Sequence, residues 1–173
     1  MWLWIALGIV VSIGFVAFLG APYVPSKRKD IDRAFTELYQ LDHSDLLVDI
    51  GAGDGVVLRA ASKRGAHAIG YEIHPVLVAI AKLLSRNDDK VMVVLANFWT
   101  VEMPANTTVV YTFGDGRDIA KMYRKVQQEA TRIGRELSFI SYAFEVPGVK
   151  LHKSIGAHHL YKVKPLQSTT EAV

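Results

Sequence analysis

Apolar residues are distributed in two different ways along the chain. Residues 1–26 carry no charged side chain, and residues 2–20 are almost wholly apolar. As a helix, residues 2–20 would span about 28 Å, which is close to the thickness of a bilayer core. We therefore predict a transmembrane anchor over residues 1–21.

Aromatic and basic residues flank this segment and predict its orientation. Trp2 and Trp4 lie at its start, and residues 27–29 are basic. Because basic flanks stay on the cytoplasmic side, we expect a single pass with the N-terminus outside and the remaining domain in the cytoplasm. A cleaved signal peptide is the alternative, but its basic n-region is missing, and Pro22 and Pro25 lie where cleavage would occur.

A helical pattern leads from the predicted anchor into the rest of the chain. Apolar residues recur along one helical face, with charged residues opposite. These apolar residues are Ile31, Ala34, Phe35, Leu38 and Leu41. We expect residues 22–41 to form a linker and an amphipathic helix that packs on the domain of residues 42–166.

From residue 42 onward, short apolar runs alternate with helical patterns. The apolar runs cover residues 46–50, 66–71, 91–95, 108–113, 137–144 and 159–163, and the helical patterns cover 56–64, 75–85 and 119–133. Strands and helices in this alternation indicate a parallel sheet with right-handed crossovers. The fold class is therefore predicted as α/β: a Rossmann-like, doubly wound and mostly parallel sheet of about six strands, with an N-terminal transmembrane helix. Residues 167–173 are expected to form a flexible tail.

The composition excludes several kinds of chemistry. The chain has no cysteine, which excludes disulfides, thiolate metal sites and cysteine nucleophiles. His152, His158 and His159 have no carboxylate at metal-ligand spacing, so exposed or hydrogen-bonded histidines explain them better and no metal site is predicted. The 20 basic residues only slightly exceed the 17 acidic ones, and we predict no nucleic-acid partner.

The sequence LVDIGAGDG, at residues 47–55, carries the strongest functional signal. Its loop contains Gly51, Ala52, Gly53 and Gly55. Glycines at alternate positions allow a tight turn and close approach of the backbone to a ligand. Dinucleotide-binding loops read G-x-G-x-x-G instead and hold a diphosphate at a helix N-terminus. Asp49 precedes the loop, and its charge suits the ammonium and sulfonium groups of S-adenosylmethionine and would repel a diphosphate, so we predict S-adenosylmethionine as the cofactor.

Two further candidate binding elements follow the next two strands. Glu72 comes directly after the second strand, where a carboxylate beside the glycine loop can accept hydrogen bonds from both ribose hydroxyls. Asn97 and Phe98 follow the third strand, where an amide can pair with the adenine edge and a ring can cover it. Phe98 and Trp99 are equally well explained as core aromatics. A glycine-rich turn alone is common, but its combination with Asp49 and Glu72 is a strong signal.

These motifs are similar to those of class I S-adenosylmethionine-dependent methyltransferases. More narrowly, the sequence resembles the membrane-associated protein-lysine methyltransferases that modify the c subunit of ATP synthase and the adenine nucleotide translocase. The resemblance covers nearly the whole chain: the apolar N-terminus, APYVP at 21–25, LVDIGAGDG at 47–55, GYEIHP at 70–75, NFWTV at 97–101 and VVYTFG at 109–114. Asp115 departs from the family pattern, in which an uncharged residue is expected.

The resemblance implies methyl transfer to lysine side chains of a protein in or at the membrane, with the bilayer contacted through residues 2–20. A neutral amine would attack the methyl group, so the protein mainly orients the two partners and excludes water. Asp115, at the end of the fourth strand, is the candidate catalytic residue that assists loss of the lysine proton. The alternatives are methylation of a small or lipophilic acceptor, such as a quinone or lipid, and a non-catalytic module that binds the cofactor. The sequence assigns no oligomeric state.

Overall fold

The computed structural model describes residues 28–166, together with Trp2, Trp4 and Gly8. Its helices are α1 (Arg28–Arg33), which continues as the π-helical segment Ala34–Leu38, α2 (Val56–Ser62), α3 (Pro75–Leu84) and α4 (Ile119–Ile133). Its strands are β1 (Leu46–Ile50), β2 (His67–Glu72), β3 (Val91–Leu95), β4 (Val109–Phe113), β5 (Leu137–Tyr142), β6 (Lys153–Ile155) and β7 (His158–Val163).

The seven strands within the described residues form one sheet in the order β3-β2-β1-β4-β5-β7-β6. The first five strands in this order are parallel, whereas β7 runs antiparallel to both β5 and β6. From β1 the chain first builds outward through β2 and β3, and then returns to place β4 on the other side of β1. In open α/β sheets, ligands bind at the carboxyl ends of the strands beside such a reversal.

The Rossmann-like, mostly parallel sheet is confirmed, and the bounds of the six predicted strands differ by no more than two residues from those observed. The strand β6 has no counterpart in the sequence pattern. It contains three residues, Lys153–Ile155, two of them polar and exposed, which is too short for an alternating pattern to appear. Gly156, with a φ of 56°, turns the chain from β6 into β7.

Helices cover the two faces of the sheet unequally. The helices α1, α2 and α3 pack on one face through a core cluster that includes Phe35, Leu58 and Ala81. The helix α4 packs on the other face, where Val126 and Phe139 belong to a second cluster. The apolar side chains of the sheet are thus buried in two layers, as expected for strands that separate two helical layers.

The predicted amphipathic helix is confirmed over residues 28–38. All five residues of its predicted apolar face are buried. The chain leaves the helix at Tyr39, which has an extended backbone with φ of −136° and ψ of 111°. This helix therefore packs on the sheet and completes one of its two covering layers.

The predicted transmembrane anchor over residues 2–20, the linker after it and the predicted tail over residues 167–173 lie outside the described residues, apart from Trp2, Trp4 and Gly8. In the part of the chain that the structure describes, no helix combines the length and the apolar character needed to cross a bilayer.

A buried carboxylate ties α4 to the segment that precedes β4. Glu129 is 3% exposed, and it accepts hydrogen bonds from Lys125 Nζ at 2.7 Å, from Arg132 Nη2 at 2.7 Å and from the Met103 amide at 3.1 Å. Burial acts to raise the pKa of Glu129, but the hydrogen bonds from Lys125 and Arg132 outweigh it and lower the pKa overall. The ionised form of Glu129 is therefore favoured in the folded protein.

We expect Glu129→Ala to reduce the free energy of unfolding by about 2–3 kcal/mol at neutral pH, because two cationic side chains lose a buried partner. A carboxylate whose pKa is lower in the folded protein than in the unfolded protein stabilises the fold at pH values above its unfolded-state pKa. This stabilisation is lost as the pH falls through the folded-state pKa. The difference in free energy of unfolding between Glu129→Ala and the natural protein should therefore become smaller at acidic pH. Denaturant unfolding at several pH values checks this, with Glu136→Ala, which removes an exposed carboxylate just after α4, as the control. An equal loss in both variants would contradict the role of the buried network.

Candidate active site

The glycine loop, residues 51–55, connects β1 to α2 at the carboxyl edge of the sheet. Gly51, Gly53 and Gly55 have φ angles of 75°, 56° and 78°. This is the left-handed region that glycine adopts without steric cost. The backbone of the loop therefore requires glycine at all three positions that the sequence singles out.

Hydrogen bonds hold the glycine loop against the end of β2. The amides of Gly51 and Ala52 both donate to the Tyr71 carbonyl, at 2.9 and 3.2 Å. A Cβ atom added to Gly51 would meet nothing within 4 Å. The loop is thus fixed on one side and open at Gly51, so a ligand can approach its backbone there.

Gly70, inside β2, allows the glycine loop to lie this close to the sheet. A Cβ atom at Gly70 would lie 2.5 Å from Ala52 Cβ and 2.6 Å from Leu58 Cδ1, far inside van der Waals contact. Gly70 is not among the site residues predicted from the sequence. The available signal was a glycine in an otherwise apolar strand, which often marks a close approach of another backbone.

Glu72 lies beside the glycine loop, where the sequence places it. Its carboxylate is nearly buried, at 7% exposure, and accepts hydrogen bonds from the Gly53 amide at 2.9 Å and from the His74 amide at 2.8 Å. Each carboxylate oxygen has a second lone pair, so the group can accept two more hydrogen bonds from a ligand. The two backbone amides therefore orient Glu72 toward the loop without exhausting its accepting capacity.

Asp49 lies in the core of the site, within β1 and 2% exposed. Burial raises its pKa well above the usual value for an aspartate, and the nearby charges of Glu72 and Asp54 raise it further. A buried carboxylate among other carboxylates is stabilised by a cationic ligand and destabilised by an anionic one. The charge pattern of this site therefore fits a ligand that carries a positive group.

Asn97 and Phe98 follow β3 at the same edge of the sheet. The Ala96 amide donates to the Glu72 carbonyl at 3.0 Å, which brings this segment beside Glu72. The Asn97 side chain is exposed, and its Oδ1 accepts the Trp99 amide at 3.1 Å. Phe98 packs on the core cluster below α4, so its explanation as a core aromatic is supported, while adenine contact by Asn97 or Phe98 stays a prediction.

Trp99 links this segment to α4. Its ring lies against the ring of Phe98, with 4.1 Å between the centroids, and Lys121 Nζ lies 4.0 Å from the ring centroid of Trp99. A cation over an indole face contributes about 0.5–1 kcal/mol at an exposed site. This contact helps hold the segment after β3 in place, and the sequence pattern did not reveal it.

Asp115 follows β4, the strand that pairs with β1 on the side opposite β2. Its carboxylate accepts hydrogen bonds from the Arg117 amide at 2.9 Å and from Arg117 Nη2 at 2.6 Å. These bonds lower the pKa of Asp115 below its usual value. Asp115 is therefore a fixed negative charge at the edge of the site and a weak proton acceptor.

The structure thus brings Asp49, the glycine loop and Glu72 together by direct contacts or shared burial, and it places Asp115 and Asn97 on the flanking strand ends. The strand order and the glycine loop define a Rossmann-like fold of the class I methyltransferase type. The chain belongs to the family described as the ANTKMT methyltransferase domain, whose sequence profile matches residues 49–153, more than half of its length.

Curated proteins with similar sequences are named as lysine N-methyltransferases. The human protein, named as the lysine N-methyltransferase of the ATP synthase C subunit, is 31% identical over 111 residues, which cover 62% of this chain and 46% of that protein. The protein of the same name from Xenopus laevis is 29% identical over 118 residues, covering 65% of this chain and 51% of that protein. The chain therefore spans about half the length of the curated relatives it matches.

Solved structures support the fold. An RNA methyltransferase from Salinibacter ruber, in complex with S-adenosyl-L-homocysteine, superposes with a TM-score of 0.73 at 22% identity, covering 84% of this chain and 97% of that one. A SAM-dependent methyltransferase from Geobacter sulfurreducens, also in complex with S-adenosyl-L-homocysteine, gives a TM-score of 0.53 at 18% identity, covering 69% and 49% of the two chains. At these identities, the similarity shows a shared fold.

Proposed function

We propose that this chain is an S-adenosylmethionine-dependent methyltransferase that modifies lysine side chains of a membrane-associated protein. The observation that carries the proposal is the presence of two buried carboxylates, Asp49 and Glu72, beside an open glycine loop that donates a hydrogen bond to Glu72. Family membership and the names of the curated relatives support it. Those names also make the c subunit of ATP synthase the first acceptor to test.

The residues of the site fit S-adenosylmethionine. The open space at Gly51 admits a ligand against the backbone, Asp49 offers a buried negative charge to an ammonium group, and Glu72 offers oriented acceptors to ribose hydroxyls. When bound, this cofactor supplies a methyl group on a positively charged sulfur. The residues of the chain then have to orient the acceptor and exclude water from the reacting atoms.

The acceptor lysine has to lose a proton to solvent before its neutral amine can attack. With the cofactor bound, the nitrogen would form a bond to the methyl carbon, and the electron pair of the broken carbon–sulfur bond would stay on sulfur. Asp115, with its low pKa, is better suited to attracting and orienting the lysine ammonium group than to removing the proton at neutral pH. We therefore assign Asp115 an orienting role at the acceptor side.

We expect Asp115→Asn to reduce kcat for methyl transfer by about tenfold to a hundredfold, because an acceptor displaced by about 1 Å from its reactive position can lose about a hundredfold in rate. Binding of S-adenosylhomocysteine should change little, because Asp115 lies outside the glycine loop. Asp118→Asn is the matched control, since it removes an exposed carboxylate from the same segment. Steady-state kinetics with labelled cofactor measures both variants, and equal activity of Asp115→Asn and the natural protein would exclude the assigned role.

The raised pKa of Asp49 predicts a pH-dependent affinity for S-adenosylhomocysteine. Below this pKa Asp49 is neutral in the free protein, and a ligand ammonium group has to displace a proton from it. Affinity should therefore fall by up to about tenfold per pH unit as pH decreases below that pKa, and should be level above it as long as the ammonium group of the ligand stays protonated. Titrations across pH test this, and Asp49→Asn should bind weakly with a much flatter profile. If affinity depends on pH in the same way in the natural protein and in Asp49→Asn, Asp49 does not face the ammonium group.

The proposed location is the membrane. The apolar, uncharged segment at residues 2–20 supports a single transmembrane anchor, and the basic residues 27–29 support a cytoplasmic domain with the N-terminus outside. A domain held at the bilayer surface would meet lysines of membrane proteins more often than those of freely diffusing proteins. A small or lipophilic acceptor, or a non-catalytic role, is the alternative outcome of the test below.

Methyl transfer from labelled S-adenosylmethionine tests the proposed function. The full chain is purified in detergent, reconstituted in vesicles that contain the c subunit of ATP synthase, and incubated with the labelled cofactor. We expect label in a lysine of that protein and none with the Glu72→Ala variant. Label only in solvent-extracted lipid would favour a lipophilic acceptor, and binding without any transfer would favour a non-catalytic module.

A further inference from the structure

The helix α3 is apolar on the side that faces solvent as well as on the side that faces the sheet. Its inner face buries Val78 and Ala81. A second stripe, at the helical spacing of three and four residues, is exposed: Val76 is 51%, Ile80 40% and Leu83 60% exposed. A helix that is apolar all round is normally covered on both sides.

The exposed apolar stripe continues onto the neighbouring edge of the sheet. The strand β3 is the last strand on this side, and its Leu95, which lies on the same face of the strand as Val93 beneath α3, is 54% exposed. Leu84, at the end of α3, is 54% exposed, and Ile73, just before α3, is 63% exposed. We call the outer stripe of α3, together with Leu95, Leu84 and Ile73, the α3 face. Contiguous apolar surface of this kind marks an interaction site.

The charges around the α3 face are suited to an anionic partner. Lys82 and Arg86 are exposed within and just after the helix, and Lys90 precedes β3. The helix itself contains no acidic residue. Asp88, which accepts a hydrogen bond from Ser62 Oγ at 2.7 Å, and Asp89 lie between Arg86 and Lys90, so three cations stand against two carboxylates and the region keeps a net positive charge. An apolar stripe with flanking cations is the pattern of a helix that lies in the interface of an anionic bilayer.

The start of the described domain lies at the same end of the sheet as the start of α3. Asp30, near the start of α1, lines a small cavity with residues 155–158, and His158 pairs with Tyr142 at the carboxyl end of β5. The helix α3 also begins at the carboxyl end of a strand, directly after β2. Residues 20–28 can span at most about 28 Å, so the proposed anchor would keep this end of the domain close to a bilayer.

We propose that the α3 face is a second membrane-contact surface, which lies on the anionic bilayer interface through its apolar stripe and flanking cations. The closeness of the domain to a bilayer depends on the anchor in the proposed function. The exposure of the α3 face and the charges around it do not depend on that anchor. This contact fixes the orientation of the domain on the bilayer, which a single tether cannot do. Because Ile73 and Val76 closely follow Glu72, the contact places the cofactor side of the sheet near the membrane surface.

A single fluorescent label on the full chain tests this contact, because the protein has no cysteine of its own. An environment-sensitive dye is attached to Leu83→Cys or, as a control, to Lys150→Cys, an exposed position in a segment on the opposite face of the sheet. The proteins are reconstituted in phosphatidylcholine vesicles with and without phosphatidylglycerol. Quenching by nitroxide-labelled lipid should be strong at position 83 in the anionic vesicles and weak at position 150.

Replacing Lys82 and Arg86 by glutamine should lower the docked-to-undocked ratio by about fivefold for each cation removed. Equal quenching at positions 83 and 150, or no dependence on phosphatidylglycerol, would overturn the proposal. A dye at position 83 that is already shielded in detergent, in a manner that depends on protein concentration, would indicate a second copy of the chain and would also overturn it. Methyl transfer to the c subunit of ATP synthase is measured on the same samples, so that failure of docking is distinguished from failure of the proposed function.

Discussion

Replacing Glu72 by alanine is expected to weaken binding of S-adenosylhomocysteine by about a hundredfold, since two hydrogen bonds from ribose to a carboxylate are lost. The substitution also removes the acceptor of the Gly53 and His74 amides, so the glycine loop loses the contact that fixes it. Isothermal titration of the full chain in detergent measures the affinity.

The matched control for this variant is Glu145→Ala, because the Glu145 side chain is 67% exposed and lies in another part of the chain. It should bind S-adenosylhomocysteine as the natural protein does. Glu72→Gln should have intermediate affinity, because an amide keeps one acceptor oxygen. Unchanged affinity of Glu72→Ala would remove Glu72 from the binding site and with it the main contact assigned to the ribose.

Replacing Gly70 by alanine is expected to reduce both stability and cofactor affinity. The added methyl group would overlap Ala52 Cβ and Leu58 Cδ1, and overpacking of this kind costs about 1–3 kcal/mol. Because Ala52 belongs to the glycine loop, the strain is relieved most directly by displacement of the loop. Affinity for S-adenosylhomocysteine should therefore fall by more than the loss of stability alone explains.

Ile69→Ala is the control for the effect of Gly70→Ala on affinity. Ile69 is the neighbouring residue of β2, and its side chain packs on the opposite face of the sheet, in the cluster below α4. This variant should lose stability and keep its affinity, since the glycine loop is not touched. Thermal unfolding and calorimetric titration of both variants separate the two effects, and a parallel loss of affinity in both would contradict the proposed displacement of the loop.

Much of the fold could be predicted because the apolar runs are short and the glycines are well placed. The run at residues 46–50 is apolar except for Asp49 and fully buried, which is the pattern of a central parallel strand. Gly134, in the left-handed region with a φ of 79°, ends α4 where the helical pattern predicts. His158 hydrogen-bonds to Tyr111 at 3.0 Å and His152 is exposed, as predicted, whereas His159 Nδ1 is buried without a hydrogen-bond partner among the described residues.

The contacts that depend on three-dimensional approach could not be predicted from the pattern. The pairing of Glu129 with Met103 joins residues 26 positions apart, and no local signal marks it. The ion pair of Asp115 with Arg117 is local, but a charged loop does not show which side chains pair. The sequence therefore predicted where the candidate acidic residues lie in the chain, whereas their hydrogen bonds and pKa directions required the structure.

Competition between S-adenosylhomocysteine and NAD⁺ for the full chain tests the central claim most directly. The buried Asp49 and Glu72 should attract the ammonium group and the ribose of S-adenosylhomocysteine and disfavour the diphosphate of NAD⁺. Calorimetric titration should show saturable binding of S-adenosylhomocysteine that excess NAD⁺ does not displace. Preferential binding of NAD⁺, or no binding of S-adenosylhomocysteine by a folded protein, would contradict the proposal that this site holds S-adenosylmethionine.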